Sequence, residues 1–285
     1  EDFGGIGRPP PRPGAAVCSL SPMSLERLET HRRVWKEKPI LAEIYRVWFD
    51  ALLLTIPASA RVLEVGAGPG LLSEYARAEH PGLSWLATDI LEAPWNELVA
   101  DGSQLPIRGE SVDAVAAFDL VHHLADPARF FSEARRVLRP GGKIAVIEPW
   151  VSPASYPVYR FLHEEGCRLG IDPWDPFGVA GGGTKTPFTG DAAILRQLVR
   201  QTPKERWEGF GLLPPRTTLF NGFAYALSMG FQPRSLLPPR LLPLFQALDR
   251  RAAVFAPLCG FRVLAVWERA ETESAASRFR SAAVL

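Results

Sequence analysis

The sequence predicts an α/β protein built on a doubly wound, mostly parallel sheet of seven strands, with helices before it and an inserted segment after the fifth strand. Two observations lead there. From residue 58 onward, short apolar runs alternate with helical patterns, and runs apolar throughout belong to parallel strands buried on both faces. The first run, Val62 to Val65, feeds a glycine turn that opens a helix. That arrangement puts a polar-ligand site at the carboxyl edge of the sheet.

The elements follow in order. Residues 24–57 carry Leu25, Leu28, Ile40, Leu41, Ile44, Val47, Trp48 and Leu52 at roughly helical spacing, and Pro39 divides them into two helices. "RVLEVGAGPG" is a strand entering the turn, and "LLSEYARAEH" a helix stopping at Pro81. "LSWLATDI" is a second strand ending in Asp89, "ELVADG" a short third and "SVDAVAAFDLVHHL" a fourth. "DPARFFSEARRVLRPGG" reads as a helix with Asp126 as N-cap, Pro127 at its first position, Arg135, Arg136 and Arg139 near its end, and Gly141 past it. "KIAVIEPW" is the fifth strand. Residues 151–204, rich in Pro, Gly and aromatics, break the pattern and read as a lid or binding segment. "RWEGFGLL" is taken as the sixth strand and "FRVLAVWERA" as the last. Between them "RLLPLFQALDRRAAVFA" places Leu241, Leu244, Phe245, Leu248, Ala252 and Phe255 on one helical face.

These readings divide the chain into a leader (1–22), N-terminal helices (23–57), a ligand-binding core (58–150), the inserted segment (151–204), the rest of the sheet with its helix (205–270) and a frayed tail (271–285). The leader "EDFGGIGRPPPRPG" lacks the apolar stretch of a signal peptide. It is read as disordered or as upstream translated sequence, since the first Met is Met23.

The 285 residues carry 32 basic and 31 acidic side chains, a net charge of +1. No long-range field favours nucleic acid or an anionic membrane. Cys18, Cys167 and Cys259 are odd in number and scattered, which fits a reducing cytoplasm and suggests neither a disulfide framework nor a zinc site. No run of about 18 uncharged apolar residues exists, so no membrane-spanning segment is expected. The apolar stripe before residue 256 leaves peripheral association open, but its weak basic bias makes packing against the sheet or lid the preferred use.

The glycine turn carries the chemistry. A dinucleotide site wants G-x-G-x-x-G, with pyrophosphate at the helix N-terminus. Gly66, Gly68 and Gly70 instead give G-x-G-x-G, and Glu64 precedes them inside the apolar run. A carboxylate there repels pyrophosphate and suits a cationic amino group. Asp89, at the end of strand two, can accept from ribose hydroxyls. Asp101, at the end of strand three, can accept from an exocyclic amine such as adenine's. Together the three acids imply a ligand with an amino acid, a ribose and an adenine, and no phosphate. Their bland alternatives are a tight turn and acids that merely end strands.

"VLEVGAGPG", "TDI", "VADGSQLPI…SVDAVAAFDLVHHL" and "EARRVLRPGGKIAVIEP", in that order, resemble the class I S-adenosylmethionine-dependent methyltransferases, in their small-molecule, type 11 branch. The likeness covers about residues 58–150. It implies a Rossmann-like fold with S-adenosylmethionine as cofactor. Glu64, Gly66, Ala67, Gly68 and Gly70 would hold its methionine part, and Asp89 with Ile90 its ribose. Asp101 and Gly102 would hold the adenine, and Phe118 would line the pocket. The chain departs from the family between Asp89 and Asp101. That segment is short and contains Pro94 and Trp95, so its helix is expected to shrink to a turn. Past residue 150, "FAYALSMGFQPRSLLP…LDRRAAVFAPLCGFRVLAVWER" resembles members found among polysaccharide and glycolipid biosynthesis enzymes. That hints at a sugar or lipid-linked acceptor, with an aromatic or polyketide hydroxyl an equal contender.

On the rim where the methyl group should point, His122 and His123 are candidate bases for a hydroxyl nucleophile. The alternative is that one packs and the other bonds locally, and the resemblance favours a structural role for His123. Two adjacent histidines are poor metal ligands without a third partner, so no metal is expected. Glu148 faces substrate or caps a turn. Trp150 and Tyr159 are candidate walls of an acceptor pocket, as are Tyr156, Phe161, Trp174, Phe177 and Phe188, although minor-core packing explains most such aromatics. His163, Glu164 and Glu165 read as a solvated helix face. The reading is thus a methyltransferase for a small-molecule acceptor. Its rivals are a nicotinamide-type oxidoreductase, which has no use for Glu64 or Asp101, and a non-catalytic binding protein of the same fold. A nucleic-acid methyltransferase lacks support from charge or motif.

Overall fold

Proline sets the entrance to the fold. The computed structural model describes residues 22–162, 165–176 and 190–271. Helix α1 (Pro22–Glu37) ends just before Pro39, which starts α2 (Pro39–Leu53) at its first position, where the missing N–H costs nothing. The inner face of α2 buries Leu41, Tyr45, Trp48, Phe49 and Leu52 against one side of the sheet. At the junction the Lys38 ammonium donates to the carbonyls of Ser228, Gly230, Gln232 and Arg234, which ties the 228–234 loop to the N-terminal helices.

The core then alternates as expected: β1 (Arg61–Val65), α3 (Leu71–Glu79), β2 (Ser84–Asp89), β3 (Leu98–Val99), β4 (Val112–Phe118), α4 (Pro127–Val137) and β5 (Leu138–Pro149). After α5 (Tyr156–Phe161), α6 (Ile194–Gln201) and α7 (Lys204–Gly209) come β6 (Arg216–Asn221), α8 (Phe223–Ser228), α9 (Leu242–Arg251), α10 (Ala256–Cys259) and β7 (Gly260–Glu268). The sheet runs β3-β2-β1-β4-β5-β7-β6. Only β7 is antiparallel to its neighbours. Strand order reverses between β1 and β4, so a crevice opens at their carboxyl ends. This is the predicted Rossmann-like architecture. No helix among the described residues is long and apolar enough to cross a membrane.

Four expectations are corrected. The helix placed over "DPARFFSEARRVLRPGG" stops at Val137 and β5 begins at Leu138. Pro140 disfavours helical backbone at Arg139, and Gly141 takes a left-handed φ of 75° inside the strand. "RWEGFGLL" is not the sixth strand. Its first half belongs to α7, whose Trp207 is buried among Phe131, Trp174 and Trp267. The real β6 is an edge strand with exposed threonines, so it lacks the apolar run that marks its neighbours. Residues 191–201 are no lid: Ile194, Leu195 and Leu198 are fully buried in the main core. Finally, of the stripe on α9 Phe245 packs against the core, but most of the rest does not turn inward. Leu244 and Leu248 are exposed, while Asp249 anchors the helix by accepting from the backbone of Phe223 and Ala224. The helix expected between β2 and β3 is indeed absent. The leader up to residue 21, His163, Glu164, Phe177, Phe188 and the tail from 272 lie outside the described residues.

Candidate active site

A cavity of about 1640 Å³ occupies the crevice at the carboxyl ends of β1, β2 and β4. Its floor is the glycine turn. Gly66, Gly68 and Gly70 have φ of 72°, 52° and 73°, the left-handed region that side chains disfavour. A Cβ on Gly66 would sit 2.6 Å from Leu120 Cδ1, and one on Gly70 would sit 2.6 Å from Trp95 Cδ1. Gly68 has nothing within 4 Å of that position and lines the cavity, as do Gly66 and Ala67. Gly70 instead starts α3 against Trp95. Trp95 Nε1 donates to Gly68 O at 2.7 Å, and the Arg32 guanidinium stacks on the Trp95 ring and donates to Pro69 O. The short β2–β3 segment thus braces the turn from outside.

All three acids reach this cavity. Asp89 is buried and its two oxygens accept from Gly68 N and Leu91 N, each at 2.8 Å. Burial raises its pKa, against the pull of those backbone N–H groups. Glu64 is fully buried, takes a 2.8 Å bond from Trp85 Nε1, and is pushed up to about 7 by burial. Asp101 is exposed and accepts from Ser103 N, next to Gly102. Ile90 and Phe118 complete this part of the wall, Phe118 being stacked on Tyr45.

Glu64 gives a pH signature. Its carboxyl holds a proton more tightly folded than unfolded, so stability falls as pH rises from 4.5 to about 7, and the loss persists above that. Glu64→Gln should remove this cost, gaining roughly 3 kcal/mol relative to wild type at pH 8 over pH 4. Urea midpoints of both proteins at the two pH values measure it; an equal difference at both would contradict the assignment.

Opposite the turn, a 3₁₀ turn (Val121–His123) presents two histidines. His122 is buried between two carboxylates. Its Nδ1 bonds Glu148, and its Nε2 lies 3.0 Å from Glu165 Oε2. Burial acts to lower its pKa, but Glu148 and Glu165 outweigh it and hold the ring well above the ordinary histidine range. His123 Nε2 lies 3.5 Å from Glu165 Oε1. Glu165 is therefore not on a solvated helix face but against both histidines.

Residues 63–146 match the family model described as a methyltransferase domain. This stretch is a methyltransferase domain of the type 11 family. An uncharacterised methyltransferase of Mycobacterium bovis is 37% identical over 109 residues, which are 34% of this chain and 44% of that protein. A ubiquinone biosynthesis O-methyltransferase of Xanthomonas axonopodis pv. citri is 32% identical over 114 residues, 35% and 47% of the two chains. The chain thus spans less than half the length of these curated relatives. Among solved structures, a SAM-dependent methyltransferase from Archaeoglobus fulgidus aligns with a TM-score of 0.47 at 15% identity, covering 81% of this chain and 94% of that one.

Three side chains expected at substrate sit behind the wall of the methyltransferase domain's cavity. Glu148 is fully buried and spends its oxygens on Leu120 N, Val121 N and His122. Tyr159 is buried with its hydroxyl donated to Phe261 O. Trp150 is buried in the main core. Glu148 and Tyr159 thereby spend the polar atoms that a substrate would need, and burial withdraws the Trp150 ring from the cavity. Conversely, Arg262 was not anticipated. It lines the cavity, pairs with Asp119, and stacks among Trp48, Phe118 and Tyr225. An arginine inside the apolar run "FRVLAVW" was its signal, the same kind of signal as Glu64 in "VLEV".

Proposed function

We propose that the protein is an S-adenosylmethionine-dependent methyltransferase acting on a hydroxyl of a largely apolar small molecule. The carrying observation is that Glu64, Asp89 and Asp101 line one cavity with the left-handed glycine turn. An amino acid, a ribose and an adenine amine offer donors to these acceptors, while a dinucleotide would bring its pyrophosphate against Glu64. The residues present therefore fit the cofactor. Glu64 and Gly66 to Gly68 would hold its methionine part, Asp89 and Ile90 the ribose, and Asp101 and Gly102 the adenine, with Phe118 on the pocket wall.

When bound, S-adenosylmethionine supplies a methyl group already activated on sulfur. The protein's remaining task is mostly alignment and exclusion of water. The cavity exceeds the roughly 300–1,000 Å³ usual for one small ligand, which supports room for an acceptor beside the cofactor. Leu28, Val34, Phe49, Leu162 and Leu236 on its walls support an apolar, lipid-linked or aromatic acceptor over a free sugar. In the His122–His123–Glu165 cluster on the cavity wall, His123 is the residue we assign to receive the hydroxyl proton. His123 is its more accessible histidine, with 19% side-chain exposure against 3% for His122. We read the location as cytoplasmic from the scattered cysteines, and propose a small-molecule rather than a nucleic-acid partner from the near-neutral charge.

Asp89→Ala tests the cofactor seat. It should weaken S-adenosylhomocysteine binding by about 1–3 kcal/mol, as buried donors lose an ionised acceptor. An unchanged dissociation constant in a calorimetric titration would mean that the ribose lies elsewhere. A screen of apolar hydroxyl compounds for S-adenosylhomocysteine release tests turnover; binding without release from any acceptor favours the non-catalytic alternative.

A further inference from the structure

We propose that His122 Nε2, His123 Nε2 and the Glu165 carboxylate form a site for a divalent transition metal, zinc by chemical type, on the acceptor side of the cavity. The adjacent histidines lacked a third ligand in the sequence; the fold supplies one from 42 residues away (165 − 123). The three ligand atoms lie within 4.8 Å of one another. His122 Nε2 lies 3.0 Å from Glu165 Oε2 and His123 Nε2 lies 3.5 Å from the other oxygen, Oε1, so each histidine has a carboxylate oxygen near the edge length of a zinc tetrahedron, about 3.3–3.4 Å for bonds of about 2.0–2.1 Å.

The surroundings match a ligating histidine. His122 Nδ1 is committed to Glu148, and Glu148 is fixed by the N–H groups of Leu120 and Val121. A cation binding here would replace the proton on Nε2, and the carboxylate on the far nitrogen then fixes the tautomer and orientation of the ring. Glu165 is held in place by the chain around it. Gly166 N donates to Gly190 O and Ala192 N to Gly166 O, while Asp191 N donates to His122 O. Gly190 passes so close that a Cβ there would lie 2.6 Å from His122 Cδ2 and 2.8 Å from Glu165 Oε2. A second group, Asp119, His122 and Glu148, also gathers. Its carboxylates are spent, however, on Arg262 and on the Glu148 contacts already described.

All three ligands line the cavity, so the fourth position of the tetrahedron falls to an oxygen donor within it. A hydroxyl bound there gives its proton to water more readily and becomes the better nucleophile. The cation then takes over the task assigned above to His123. That last step rests on the methyl-transfer reading; the metal site does not.

The test is calorimetric titration of chelator-treated, full-length protein with Zn²⁺ alone, with S-adenosylhomocysteine titrated separately as a check of the fold. One equivalent of zinc is expected. Affinity should fall at least tenfold in Glu165→Gln and in His123→Ala, with S-adenosylhomocysteine affinity kept. Zinc binding below one equivalent, or unchanged in both variants, overturns the site. Failure of S-adenosylhomocysteine binding with zinc binding intact would instead overturn the methyltransferase reading and leave the metal.

Discussion

Gly68→Ala is expected to abolish cofactor binding while leaving the fold nearly intact, whereas Gly66→Ala damages both. The two glycines share a left-handed backbone, which costs an alanine about 1–2 kcal/mol at either place. They differ in what a methyl group meets. At Gly68 it meets nothing within 4 Å and projects into the cavity, so a bound ligand is what it obstructs. At Gly66 it meets Leu120 at 2.6 Å, and relieving that overlap adds about 1–3 kcal/mol. Leu120 also carries one of the N–H groups that hold Glu148, so the shift is passed to the histidine cluster. Melting temperatures and S-adenosylhomocysteine titrations of the two variants separate these effects. Equal melting losses, or a Gly68→Ala protein that binds normally, would contradict the geometry.

Glu148→Ala should cost about 3–5 kcal/mol of folding stability, the penalty for removing one member of a buried charged network. The substitution strands two buried N–H donors and the Nδ1 of a buried histidine at once. Urea unfolding measures it directly. A loss below about 1 kcal/mol, the size of a single ordinary hydrogen bond, would mean that the side chain is free to face substrate after all.

The contrast between Glu148 and Glu64 explains what was legible in the sequence. Strands β1, β2, β4 and β5 announce themselves because both faces are largely buried and most of their positions are apolar. Edge strand β6 does not, because solvent accepts Thr217 and Thr218. The three cavity acids were readable as neighbours because each interrupts, ends or closely follows a strand whose direction is known, so the topology brings Glu64, Asp89 and Asp101 to one cavity. The acceptor side was not readable. Glu148 also ends a strand, yet local N–H groups of the next turn capture it. Glu165 reaches the histidines only because residues 166 and 190–192 pair across a stretch with no periodic pattern. Trp95 and Arg32 brace the turn through a contact between elements far apart in the chain. No local spacing encodes such contacts.

Parallel titration of the protein with S-adenosylhomocysteine and with NADH tests the central claim most directly. Saturable S-adenosylhomocysteine binding, tighter than that of NADH and weakened by Asp89→Ala, is the expected result. Tighter binding of NADH, or no binding of S-adenosylhomocysteine at all, would contradict the account of Glu64, Asp89 and the glycine turn as one seat.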